Sequence, residues 1–187
     1  MPESGGAGLI SVVGGESTGK STLAAALGLS LPGVVVGEHL RTWVEEHGGR
    51  VPSAVEQAAV AAAQRKSEIA AKAVAAGRGL SWAVSDSGPL MTAVYSIQYY
   101  RDDTLLPLAL ETVTGGDLVV WCQDDFPWQP DPQRDGVAAR AASQRILAGI
   151  FQRHPDLPVL PVRGPLAERI EAVLGSVAAQ QDSPRPR

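Results

Sequence analysis

A lysine followed by two hydroxyl residues, Lys20-Ser21-Thr22, closes a glycine-rich run that begins at Gly14. The whole run is Gly14-Gly15-Glu16-Ser17-Thr18-Gly19-Lys20-Ser21-Thr22. It fits the phosphate-cradling spacing Gly-x-x-x-x-Gly-Lys-Ser/Thr. The glycines permit backbone angles that turn successive N–H groups inward around an anion. Lys20, expected to stand exposed on the loop, can reach the β- and γ-phosphates of ATP, and the Ser21 hydroxyl can ligate Mg²⁺. The pattern needs a strand before it and a helix after it. Leu9–Val13 reads as that strand, and Ser21 to about Leu29 as that helix, whose positive N-terminal end faces the same anion. A glycine-rich surface turn with a solvated lysine is the bland alternative, and it requires neither neighbour.

Short apolar runs alternate with longer helical patterns along the rest of the chain. Strands are expected at Val34–Val36, Gly79–Ser85, Asp117–Trp121 and Pro158–Val162. Ser53-Ala54-Val55-Glu56 behind Pro52 is a capping box that opens a long Ala-rich helix, with Gly77 as its natural stop. Further helices are expected from Pro89 to about Tyr100, from about Asp103 to Thr114, up to about His154, and from Pro165 to about Ala179. Such alternation predicts an α/β fold of three layers, a mostly parallel five-stranded sheet with helices on both faces. Residues 1–8 and 180–187 read as unstructured ends around one domain at 9–179.

Ligands of such sheets bind at the carboxyl ends of the strands. That rule selects the loop at Gly14, then Glu38, Asp86, Asp124 with Asp125, and Arg163 with Gly164. Glu38 and Asp86 would face the phosphate loop from neighbouring strands. A carboxylate there can hold Mg²⁺ through water or accept a proton from an attacking hydroxyl. Our reading puts Asp86 near the metal and Glu38 as the hydroxyl-binding base, an order the sequence does not fix; a helix cap is the structural alternative for each. Arg41 lies one turn from Glu38 and reads either as a substrate clamp or as a local ion pair worth a few tenths of a kcal/mol. Arg134 in the Pro-rich segment 123–136, with Arg140 and Arg145 after it, suits a lid over a triphosphate, as such arginines also suit a solvated helix face. Trp128, between Pro127 and Pro130, either packs on the core edge or stacks on a flat ligand ring.

The composition narrows the classes. At 187 residues the chain can bury the core of one domain. A net charge of −4 and a pI near 5.4 argue against nucleic-acid or membrane partners. One cysteine, Cys122, excludes an internal disulfide framework and a Cys-rich zinc site, and reads as a buried strand-end residue. The three histidines lack metal-ligand spacing. The start carries no secretory pattern and no run approaches the ~20 apolar residues of a membrane span. The chain reads as cytoplasmic.

Taken together, the chain resembles the kinase domain of the bacterial ribosylnicotinamide kinases, within the wider P-loop group. The marks are the run Gly14–Thr22, Glu38-His39-Leu40-Arg41, Gln57 and Gln64, Ser85-Asp86-Ser87 with Thr92, Asp125-Phe126-Pro127-Trp128 followed by Arg134, and Val162-Arg163-Gly164 with Arg169. The resemblance implies a nucleoside-kinase-like fold and transfer of the ATP γ-phosphate to the ribose 5′-hydroxyl of nicotinamide riboside, giving NMN. It implies Mg²⁺, a small nucleoside-like acceptor held by Glu38, Arg41, Asp125 and Trp128, and a lid of about 123–145 carrying Arg134 and Arg140. It also implies an adenine pocket near Arg163 and Gly164. The chain departs from the family at Gly37, where some members carry an aromatic ring, and at Ser85-Asp86-Ser87-Gly88, where the family often shows Asp-Thr-Asp and this chain has one acid fewer. A kinase of another nucleoside or small alcohol, or a regulatory NTPase, are the rival readings.

Overall fold

A computed structural model of the chain describes residues 6–114, 118–130 and 135–182, without the side chains of 181 and 182. The elements are β1 (Gly8–Val13), α1 (Lys20–Ser30), β2 (Gly33–Val36), α2 (His39–Glu46), α3 (Ala54–Gly77), β3 (Trp82–Asp86), α4 (Gly88–Tyr100), α5 (Leu106–Thr114), β4 (Leu118–Cys122), α6 (Val137–Arg153), β5 (Val159–Val162) and α7 (Leu166–Asp182).

The five strands form one sheet in the order β2-β3-β1-β4-β5. Every pairing is parallel, so all carboxyl ends lie along one edge. Successive side chains point to opposite faces, and the strands are apolar on both, as expected for a sheet covered twice. Ile10, Val12, Val84 and Val120 pack with Leu23 and Leu27 of α1 and Val173 and Val177 of α7. On the other face Val13 and Val119 pack with Leu90, Val94, Val113, Leu147 and Ile150 of α4, α5 and α6. Leu9 and Ala83 meet Ala71 of α3 on that same face. The expected three-layer α/β architecture is thus the one observed.

Element ends differ in instructive ways. The capping box forms: the Glu56 carboxylate accepts the Ser53 backbone N–H at 2.8 Å and is also gripped by both Arg50 nitrogens. Helix α3 ends at Gly77, as expected, and Gly79 closes the turn beyond it. Gly79 takes φ +68, its N–H donates to Ala76 O, and Leu80 N–H donates to Ala75 O, the paired bonds of a Schellman end. That turn delays β3 to Trp82, three residues past the expected start. Helix α5 begins at Leu106, with Thr104 N–H donating to the Asp102 carboxylate just before it. Helix α7 runs to Asp182, so the backbone of Gln180, Gln181 and Asp182 is helical where a tail was expected, and β1 starts at Gly8. Asp117, expected to open β4, lies outside the described residues. Helices α3 and α4 run antiparallel: Glu68 lies beside Gly88, and the Tyr100 hydroxyl donates to Pro52 O at 2.6 Å.

Candidate active site

The loop between β1 and α1 sits at the carboxyl edge of the central strand. Gly19 precedes α1 at φ +80, and Ser17 holds φ +54. A non-glycine residue in this region costs about 1–2 kcal/mol. Strain of this kind persists where the surroundings impose it, as at ligand-binding loops. Gly15 has no room for a side chain: a Cβ there would lie 2.8 Å from the Arg140 carbonyl oxygen. The Thr18 hydroxyl donates to Gly15 O at 2.7 Å, and the Lys20 ammonium donates to the same oxygen at 2.9 Å. Contrary to the sequence expectation of an exposed side chain, Lys20 is only 8% accessible at the start of α1. A backbone carbonyl of the loop itself draws the ammonium inward. Ser21 and Thr22 are exposed on the first turn of that helix.

The two carboxylates face this loop. Asp86 ends β3 in register with Val12 of β1, and is buried. Glu38 precedes α2 but makes no capping bond with its side chain. Burial pushes the Glu38 carboxyl above the usual carboxylate range; Lys20 pulls it down, Asp86 pushes it up, and Arg41 and the Ser87 hydroxyl pull it down. These causes themselves gather Glu38, Lys20, Asp86, Arg41 and Ser87 around one point. Arg41 is half-exposed, with Nε 3.9 Å from Glu38, which is the geometry of the local ion pair. Ser87 holds φ +74 directly after Asp86, and its hydroxyl donates to Asp86 Oδ1 at 3.4 Å. The Tyr95 hydroxyl also borders the site. Burial first, then the negative charges of Glu38, Glu16 and Asp86, hold its pKa well above the ordinary value.

The segment after β4 lies over the phosphate loop. Gln129 N–H donates to Ser17 Oγ at 2.8 Å, and Asp135 N–H donates to Glu16 Oε1 at 3.2 Å. Tyr99 on α4 donates its hydroxyl to the Asp135 carboxylate at 2.5 Å. The Phe126 ring lies 3.3 Å from where a Cβ of Gly19 would be. Arg140 of α6 is buried and donates to Phe126 O at 3.0 Å, while its Nε has no partner. The half-buried Trp128 likewise leaves its indole Nε1 buried and unpaired. An unpaired buried donor costs about 1–3 kcal/mol; two of them at a phosphate loop suit an anionic ligand. Arg134 lies outside the described residues. Arg145, the third arginine of the series, lines a groove between α4 and α6 with Gln98 and Arg101.

Arg169 and Asp125 are among the marks of the resemblance, but that they bind these parts together, as Gln144 also does, is visible only in the structure. Arg169 of α7 is 3% accessible and serves four partners. It donates to Thr18 O, Gly164 O and Gln123 O, pairs with the Asp125 carboxylate, and lies over the Phe126 ring. Asp125 also accepts the Gly164 N–H at 2.5 Å. Asp125 thus joins the ends of β4 and β5, and Arg163 beside Gly164 is exposed. Gln144 of α6 accepts from Gly15 N–H and Trp121 Nε1–H and donates to Cys122 O, bracing the phosphate loop from behind. Cys122 is buried at its strand end, and burial pushes its thiol up to about 11. Polar residues inside a helical pattern look solvated in sequence; only their neighbours in space reveal them.

The arrangement, a glycine-rich loop at the carboxyl edge of a 2-3-1-4-5 parallel sheet, resembles in fold the P-loop nucleoside and nucleotide kinases. A family scan matches the AAA domain over residues 9–169, and the chain belongs to that family. No curated protein matches it. Among solved structures, NadR in complex with NAD and AMP-PNP shares the fold with a TM-score of 0.71 and 19% identity, over 97% of this chain and 51% of that one. NadR in complex with NR gives 0.70 and 19%, over 97% and 53%. The chain therefore spans about half the length of NadR. Deoxyadenosine kinase from M. mycoides gives 0.61 at 14% identity, over 91% of this chain and 99% of that one. Thymidylate kinase from Candida albicans gives 0.66 at 13%, over 94% and 93%. At the level of the fold, the resemblance to the ribosylnicotinamide kinase domain is borne out. Among the described residues no helix is long and apolar enough to cross a membrane.

Proposed function

We propose that the chain is a cytoplasmic ATP-dependent kinase that phosphorylates the ribose 5′-hydroxyl of nicotinamide riboside to give NMN. One observation carries the kinase reading. A carboxyl raised by burial, Glu38, stands beside Asp86 and Lys20 at the mouth of the phosphate loop. A nucleotide switch needs the loop and a metal ligand; a second carboxylate free of capping duty suits an acceptor hydroxyl. Glu38 orients that hydroxyl and takes its proton as the bond to phosphorus forms. Lys20 meets the phosphate oxygens from the loop, and Arg140 with the Trp128 indole offers unpaired donors from the covering segment. Asp125 with Arg169 holds the strand ends that would border the adenine.

Among the described residues no cluster of three or more His, Cys, Asp or Glu side chains can hold a metal unaided. That suits Mg²⁺, which arrives with phosphates and keeps several waters, taking one or two protein oxygens. Ser21 and Asp86 fit as those oxygens. When bound, the ion would neutralise charge on the transferring phosphate.

The nicotinamide assignment draws on the likeness to NadR, whose NR complex shares this fold. The full-length likeness to deoxyadenosine kinase supports a second reading, an uncharged nucleoside. The test is ADP release from ATP·Mg²⁺ across a panel of nucleosides including nicotinamide riboside. Acceptor-stimulated release with nicotinamide riboside fastest is expected. A faster deoxynucleoside would favour the second reading, and acceptor-independent hydrolysis alone would favour a switch.

A further inference from the structure

Behind the two carboxylates runs a row of buried polar side chains. The His39 backbone N–H, next to Glu38, donates to Gln64 Oε1 at 2.8 Å. Gln64 Nε2 donates to Ser85 Oγ at 3.1 Å. Ser85, next to Asp86, donates its hydroxyl to Glu68 Oε1 at 2.5 Å. Gln64, Ser85 and Glu68 are 2%, 0% and 1% accessible, so water cannot replace these partners.

The chemistry of the row permits one direction. A backbone N–H can be met only by the amide oxygen of Gln64, which turns Nε2 toward Ser85. Ser85 must then accept, and its own proton goes to Glu68. The row spans three elements: the start of α2, the middle of α3 and the end of β3. Between β2 and α2 the chain passes through exposed Gly37, where a Cβ would meet nothing within 4 Å. Gly37 brings no side-chain packing to that linker, and the backbone beside Glu38 is tied to α3 by the Gln64 bond and by the His39 ring, which pairs with Ser67 Oγ on the same helix at 2.8 Å.

We propose that Gln64 is a positioning residue that sets the separation between Glu38 and Asp86, its amide being oriented by Ser85 and Glu68. The inference rests on the kinase reading only for what the two carboxylates do. Gln64 touches neither the phosphate loop nor Lys20 by any hydrogen bond, so its loss should spare nucleotide binding and strike the reacting geometry.

The test compares the full chain with Gln64→Met, which keeps length and removes both bonds, and with Ser85→Ala, which removes one hydroxyl. Circular dichroism and thermal melts establish folding. Expected in either folded variant is a kcat for acceptor phosphorylation lowered about 10- to 100-fold, as a displacement near 1 Å can produce, with the ATP KM kept within about twofold. Mn²⁺ affinity of the AMP-PNP complex, read by electron paramagnetic resonance, should fall about fivefold as Asp86 loosens. Unchanged kcat and unchanged Mn²⁺ affinity in a folded variant would overturn the proposal. If wild-type protein phosphorylates no acceptor, the kinase reading fails on that measurement alone. The Mn²⁺ comparison then still decides the tie, weaker binding in the variants supporting it and equal binding sinking it.

Discussion

The Lys20 ammonium donates to the Gly15 carbonyl at 2.9 Å, so the side chain that marks the phosphate loop also ties its two ends together. Lys20→Ala should lower phosphoryl transfer roughly 10²- to 10³-fold, the size seen when one donor to a charged transition state is removed. Because the bond to Gly15 goes with it, stability should also fall, by about 1 kcal/mol. Steady-state kinetics and a denaturant titration read the two effects. Near-normal transfer in this variant would mean that the loop has been misread.

Asp86→Asn should cut kcat more than it weakens ATP, since a neutral amide supports neither metal charge nor proton transfer. Glu38→Gln should change the pH profile instead. A hydroxyl-activating Glu38 must be ionised, and burial holds its pKa above the usual carboxylate range. The wild-type rate should therefore rise as pH climbs through that raised value, and the limb should vanish in Glu38→Gln at a lower rate. An acid limb that survives Glu38→Gln would pass the base role to Asp86.

Glu68 gives a stability signature. Burial raises its carboxyl from 4.5 to about 7, with the Ser85 hydroxyl and Arg65 opposing. The folded state thus holds a proton that the unfolded chain releases. The associated stability is fully present below about pH 4.5 and is lost as pH rises through about 7, by up to ~3 kcal/mol. Melting temperatures from pH 5 to 8 should fall in the wild type and flatten in Glu68→Gln. An equal slope in both proteins would place the titration elsewhere.

Gln144→Ala should destabilise the fold by roughly 2–3 kcal/mol, because one oxygen serves both Gly15 N–H and Trp121 Nε1–H. ATP affinity should drop with it, as the loop loses its brace. Isothermal titration with AMP-PNP checks this; unaltered affinity would make Gln144 a core residue without bearing on the loop.

The covering segment carries its own reporter. The half-buried Trp128 keeps its indole N–H buried and unpaired, and Arg140 Nε is in the same state. Trp128 emission should change on adding AMP-PNP with acceptor, more than with either alone. Arg140→Ala should lower the maximal rate and blunt that change. Silence of Trp128 to every ligand, with full activity in Arg140→Ala, would leave the segment a surface loop.

Local pattern was enough for the elements of the fold. Strand runs with apolar residues on both faces can only be covered twice, so Leu9–Val13 and its fellows specify a two-faced sheet without knowledge of order. The phosphate loop was legible for the same reason: its residues are contiguous, and glycine spacing encodes backbone geometry directly. Glu38 and Asp86 followed from strand ends, a local feature joined to one topological rule. What escaped was whatever depends on long-range pairing. Whether Lys20 stood exposed or turned back on Gly15 depended on how the loop curls. That Gly79, two residues past the helix end at Gly77, closes the turn after α3 was decided by which residue the backbone carried into positive φ. Arg169, Gln144, Gln64 and Glu68 sit in helical patterns where polar residues look solvated, and Ser85 at a strand end gives no sign of its partners. Only tertiary packing buries them, and once buried, their hydrogen-bonding groups had to find one another, which is how the site acquires its fixed geometry.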